Sequence, residues 1–158
     1  MDQDNDRPVV LRTLSERVAL VTINRPKARN AINSEVANNQ EEILKETECD
    51  SEIDVVILTG SGGTAFSAGA DLKEVAAGKF SSLFTERGGF AGFVHAKRRK
   101  PWIAAVDGLA LAGGCEITLA CDLIVASESA EFGLPEVSRG LIASAGGLYR
   151  LTRSLPKV

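Results

Sequence analysis

Two glutamates and two glycine-rich loops carry the chemistry open to this sequence. Glu116 lies in LALAGGCEITLACD, residues 109–122, where its neighbours are nearly all small or apolar. An unpartnered carboxylate in such surroundings is costly, so its presence needs a reason. Glu136 follows in FGLPEVSRG, again between apolar residues. Burial raises a carboxyl pKa, and two carboxylates in unlike surroundings can divide the work of general base and general acid. Each acid also has a plainer reading. The helix dipole alone favours an acid in a first helical turn, and Pro135-Glu136 could be a simple turn with a surface acid.

The two loops share a design. VVILTGSGGTAFSAGADL and WIAAVDGLALAGGCEI each run from an apolar strand through a glycine turn and a bend of small residues into a helix start. Helix starts expose unpaired N–H groups and the positive end of the dipole. Glycine and alanine let a ligand come close to the backbone. Two such starts facing each other would offer convergent donors, as needed to stabilise the oxyanion of a thioester enolate. Ordinary tight connections would give the same residue pattern.

The elements that must hold these loops follow from hydrophobic pattern. Residues 9–14 and 17–23 read as two strands with a short turn. Asn24-Arg25-Pro26 breaks the pattern, and Asn33 or Ser34 then caps a helix to about residue 48, with Ile32, Val36, Ile43 and Leu44 on one face. Residues 54–59, DVVILT, predict a strand buried on both faces. The loop GSGGTAFSAGA leads to a helix over 71–76. Residues 78–92 are expected to be mobile. Residues 93–99 are expected to end a helix whose KRRK run meets the negative end of the dipole. Strands over 102–106 and 123–126 flank a short helix through Glu116 to Ala120, with a short strand at 131–132. Residues 149–155 open one more element. The order is that of an α/β chain with repeating units of about 35–50 residues.

Composition narrows the classes. A length of 158 residues suits one domain, and 44% hydrophobic with 25% charged residues is ordinary for a globular chain. A net charge of −3 favours neither nucleic acid nor an anionic membrane, and no apolar run is long enough to span one. The polar start, MDQDNDRP, is unlike a targeting signal, so residues 1–8 are expected to fray and the protein to be cytoplasmic. Cys49, Cys115 and Cys121 have no metal-ligand spacing and read as buried small side chains in a reducing compartment. The single histidine, His95, reads as a helix-surface residue and excludes a multi-histidine metal site.

The stretches VALVTINRPKARNAI, AFSAGADL, KPWIAAVDGLALAGGCEITLACD and FGLPEVSRGLIASAGGLYRL together resemble the crotonase superfamily, the enoyl-CoA hydratase/isomerase family. They follow the family's order and spacing over nearly the whole chain. The resemblance implies a crotonase-like spiral of ββα repeats over residues 9–158, and a homo-oligomer, trimer or hexamer, built by a trailing helical region. It implies Ala68 and Gly113 as the oxyanion hole, acting through backbone N–H, and Glu116 and Glu136 as the catalytic acids. It puts Ala70, Asp71 and Leu72 near the adenine end of coenzyme A and Ala28 on the pantetheine path, with Arg25 and Lys27 as cations for the phosphates. Both acids being present implies hydration of a 2-enoyl-CoA thioester, with no metal and no redox cofactor.

The sequence departs from the family at three points. Ala112 stands where many members have a third glycine, a mild change. Ala143-Ser144 replaces a common Pro-Gly pair, and the Ser144 hydroxyl is expected beside the water site, where it could shift the water or accept a polar substrate group. Carnitinyl-CoA dehydration and enoyl-CoA isomerisation are the alternatives this leaves. The chain stops at LTRSLPKV, where family members continue into the helical region, so an apolar face is expected to be uncovered. A non-catalytic acyl-CoA-binding scaffold is a further reading. GSGGTA also fits a dinucleotide fingerprint, but a second loop delays the helix and no acid-ended strand follows about 20 residues on.

Overall fold

The first hairpin of the computed structural model, which describes residues 7–155, buries the start of its first strand and alternate residues of its second. Strands β1 (Val9–Ser15) and β2 (Arg17–Ile23) pair antiparallel. Asn33 then caps α1 (Ser34–Cys49), its side-chain oxygen accepting from the Val36 amide at 2.9 Å. Val36, Gln40 and Leu44 recur every four residues and form the buried stripe of this helix, with Ala37 and Thr47 beside them. Residues of β3 (Ile53–Gly60) alternate: Val56 and Leu58 are fully buried, whereas Val55 and Ile57 are half-buried. One face of this strand is therefore less covered than its continuous apolar run suggests.

After β3 the chain repeats one manoeuvre. Strand β3 continues into β4 (Ala65–Ser67) and α2 (Leu72–Ala76). Strand β7 (Trp102–Val106) continues into β8 (Leu109–Leu111) and α3 (Gly113–Ala120). Strand β9 (Leu123–Ala126) continues into β10 (Glu131–Gly133), a 3-10 turn and α4 (Gly147–Ser154). The first strand of each repeat extends one sheet, in the order β1-β2-β3-β7-β9, parallel from β2 onward. The second strand of each builds another, wholly parallel, in the order β10-β8-β4. This is the spiral of ββα repeats. Its core gathers the fully buried Ile23, Leu58, Phe66, Phe93 and Trp102.

Several expectations need correction. Residues 60–70 are not one loop, because β4 forms within them and pairs with β8. Residues 78–92 are packed: a 3-10 turn leads into the hairpin β5 (Phe84–Thr85) and β6 (Gly89–Phe90), anchored by buried Leu83 and Phe90. Residues 93–95 belong to a turn and 96–98 are irregular, so no helix forms there, and His95 is exposed on the turn. The KRRK run does meet helix C-termini, but of other segments. Lys100 Nζ donates to the Thr47 and Asp50 carbonyls at the end of α1, and Arg98 donates to the Ala120 carbonyl at the end of α3 at 2.5 Å. Arg7 and Pro8 are not frayed, since Asn24 donates to Arg7 and Pro8 accepts from Asn24. The rest of the expected frayed start, residues 1–6, lies outside the described residues. Cys49 is exposed; burial pushes the Cys115 and Cys121 thiols up to about 11 and about 12.

Asn30 ties the loop after β2 to the loop after β3. It is buried, at φ +54°, a left-handed conformation that asparagine tolerates. Its carbonyl accepts from the Arg25 amide at 2.9 Å, and its NH2 donates to the Ser61 and Ala65 carbonyls at 2.9 and 2.7 Å. Asn30→Ala orphans all three groups, and urea unfolding should show a loss of about 3 kcal/mol.

Candidate active site

Three neighbouring parallel strands end at one place. Because β10, β8 and β4 run in the same direction, their C-terminal ends deliver residues 134–136, 112–113 and 68–70 side by side. The open ends of parallel strands are the usual ligand crevice of α/β sheets. A cavity of about 330 Å³ lies there, lined by Ala68, Ala70, Gly113, Glu116, Glu136 and Ser144 among others.

The amides of the β4–α2 loop are almost all committed. Ala68 N–H donates to the Arg29 carbonyl at 3.0 Å, Gly69 N–H to Ser67 Oγ at 3.2 Å, and Asp71 N–H to the Ile32 carbonyl at 2.8 Å. Ala70 alone in this run has an amide with no partner among the described residues. Ala68 is thus corrected as a donor to a ligand: its hydrogen is already spent holding the loop, and Ala70 is the residue with one to give. Gly113 opens α3, so its N–H has no partner within the helix. The two loops touch backbone to backbone. A Cβ on Gly69, at φ +85°, would lie 2.8 Å from Gly113 N, so only glycine allows this approach.

The acids occupy the other side of β8. Glu116 is buried in the first turn of α3, and its Oε1 accepts from the Gly147 amide at 2.8 Å. Gly147 is the first residue of α4, so the positive end of a second helix meets this carboxylate. Desolvation still dominates and raises the Glu116 pKa; the Gly147 amide opposes the shift, and the nearby Glu136 charge adds to it. Glu136 Oε2 is buried without a hydrogen-bond partner among the described residues. A buried carboxylate oxygen left unpaired beside a cavity marks a place for a polar guest.

Of the other expected contacts, Ala70, Leu72 and Ser144 line the cavity, while Arg25, Lys27, Ala28 and Asp71 do not. Arg25 is corrected as a free cation. Its guanidinium pairs with Asp71 at 3.0 Å and donates to the Ala31 carbonyl at 2.6 Å, so it braces the loop. Asp71 also caps α2 through the Lys73 amide. The cavity holds residues the sequence reading missed: Arg29, Arg139 and three phenylalanines. Phe80 and Phe84 stack edge-on at 5.2 Å, and Phe84 and Phe90 at 5.4 Å. The Phe90 ring edge lies against Gly113, where an added Cβ would come within 2.5 Å of it. GSGGTA opens into a strand rather than a helix, so it lacks the setting of a dinucleotide site.

The fold and the strand-end site define a crotonase-like protein. The sequence matches the family described as Enoyl-CoA hydratase/isomerase over residues 13–158, and the chain belongs to that family. It is 43% identical over 148 residues to a probable enoyl-CoA hydratase of Mycobacterium tuberculosis, covering 94% of this chain and 57% of that protein. It is 45% identical over 141 residues to the short-chain-enoyl-CoA hydratase of Clostridium acetobutylicum, covering 87% and 53%. The crystal structure of an enoyl-CoA hydratase from Mycobacterium tuberculosis H37Rv superposes with a TM-score of 0.89 at 45% identity, covering 96% of this chain and 58% of that one. A carnitinyl-CoA dehydratase from Mycobacterium avium gives 0.86 at 46% identity, covering 94% and 58%. The chain spans little more than half the length of these relatives.

Ala112 is not the mild change it looked. It sits at φ +51° and ψ −127°, a conformation that costs a side-chain-bearing residue about 1–3 kcal/mol. Ala112→Gly should raise stability by about 1 kcal/mol after its own entropy cost, read as a higher Tm. The raised Glu116 pKa has a definite sign in stability. Above the ordinary carboxylate range the unfolded chain gives up this proton more readily than the folded one, so stability falls as pH rises through the two values. Glu116→Gln should therefore melt higher than wild type at pH 8, with the gap closing toward pH 4.

Proposed function

We propose that this chain carries the catalytic centre of an enoyl-CoA hydratase. One observation supports it above the rest: a buried unpaired oxygen of Glu136 shares a cavity with Glu116, next to the unpartnered amides of Ala70 and Gly113. The thioester oxygen takes both amides, between the ends of β4 and β8. The acids hold one water between the ends of β8 and β10. One carboxylate accepts a proton as the water oxygen bonds to the β-carbon. The electron pair of the double bond moves onto the thioester as an enolate, which the amides stabilise. The protonated member of the pair then gives a proton to the α-carbon. One such amide is typically worth about 3–4 kcal/mol in rate. Carboxylates and amides suffice for these steps, without an electron carrier or a metal.

The same reading takes a trimer or hexamer as the working assembly, supported by the exposed Leu123, Val125, Val137 and Ile142, and a cytoplasmic setting, supported by three unpaired thiols. Carnitinyl-CoA dehydration, the same steps reversed on a trimethylammonium acyl group, is a second reading, favoured by the similarity to the Mycobacterium avium dehydratase.

Crotonyl-CoA hydration, followed by loss of the conjugated thioester absorbance, tests the proposal. Glu116→Gln and Glu136→Gln should each lower kcat about 10²–10⁴-fold with KM little changed. Acyl-CoA binding that persists with no turnover in wild type would instead mark a scaffold.

A further inference from the structure

Two arginines line the cavity, Arg29 and Arg139, and neither guanidinium has a hydrogen bond or ion pair among the described residues. They stand on opposite flanks. Arg29 belongs to the β4 side, where its carbonyl holds the Ala68 amide. Arg139 belongs to the β10 side, at the end of the 3-10 helix Pro135–Arg139 that carries Glu136. On the hydratase reading, on which this inference rests, the thioester lies between β4 and β8 and the β-carbon between β8 and β10. Passing from Arg29 to Arg139 is then passing from coenzyme A toward the far end of the acyl chain.

The 3-10 geometry fixes the spacing. Residues three apart in such a helix eclipse, so Glu136 and Arg139 share one edge, their backbones displaced by roughly 6 Å, the span of four or five carbon–carbon bonds. The wall beyond Glu136 is otherwise apolar, with Pro135, Leu141 and Ile142, apart from the Ser144 hydroxyl. Arg139 is exposed at the open edge of this wall, and a cation there without a partner among the described residues suits an anion at the end of the chain. A guanidinium takes a carboxylate through two parallel hydrogen bonds and repels an ammonium. We propose that Arg139 reads the acyl terminus, and that this site favours enoyl-CoA thioesters ending in a carboxylate over neutral ones and disfavours trimethylammonium acyl groups.

Calorimetric titration of the full chain with saturated thioesters, which cannot turn over, tests this. Pimelyl-CoA and heptanoyl-CoA share the coenzyme and chain length, so contacts to the coenzyme phosphates cancel in their ratio. Pimelyl-CoA should bind about tenfold tighter, and the ratio should shrink with added salt. Arg139→Gln should bring the ratio near one, and Arg139→Lys should keep part of it. Equal affinities in wild type, or a preference that survives Arg139→Gln, overturns the assignment while leaving the hydratase reading standing. Failure of both thioesters to bind overturns both.

Discussion

The contact between the Glu116 carboxylate and the Gly147 amide is the constraint on which the site depends. A carboxylate among Gly113, Cys115 and Ile117 would be pushed strongly toward its neutral form. The start of α4 opposes part of that push and also aims the side chain, since the bond comes from a fixed backbone group rather than from mobile water. The consequence is architectural. Helix α3 supplies the acid, and α4, from the next turn of the spiral, holds it. Arg150 anchors α4 in turn, donating to the Val94 carbonyl at 2.7 Å and the Ala145 carbonyl at 3.1 Å.

The second sheet acts as a jig for this arrangement. Three short parallel strands, each only three residues long, bring backbone from distant parts of the chain to neighbouring positions. Short strands alone would be weak guides. The loops they release are therefore braced from outside the sheet, by Asn30 on Ser61 and Ala65, by Ser67 on the Asn30 carbonyl, and by Arg25 on Asp71. Of the amides at positions 68–71, three are held by the Arg29 carbonyl, Ser67 Oγ and the Ile32 carbonyl, which leaves Ala70 open.

What the sequence made legible follows from how local each signal is. The hairpin, α1 and the strands of the large sheet rest on periodicity and capping, which a short window carries. Glu116 and Glu136 stood out because an acid in an apolar run is unusual wherever it falls. The amide of the β4 loop without a partner among the described residues is Ala70 rather than the expected Ala68, and sequence does not separate the two because they are the same residue type. Only the partner of each amide separates them, and those partners, Arg29 or none, come from another loop. Residues 78–92 looked mobile because their glycines show locally, while the burial of Leu83 and Phe90 depends on α1 and the site. The KRRK run gave the right electrostatics with the wrong helices, since a helix terminus attracts any cation that reaches it.

The aromatic ladder joins the innermost and outermost parts of the cavity. Phe90 rests on the Gly113 backbone, Phe84 on Phe90, and the exposed Phe80 on Phe84. Close-packed rings transmit displacement rather than absorb it. The Gly113 amide at the inner end and the rim at the outer end are thus one mechanical train, so widening the cavity's mouth and shifting that amide are not independent moves for this protein.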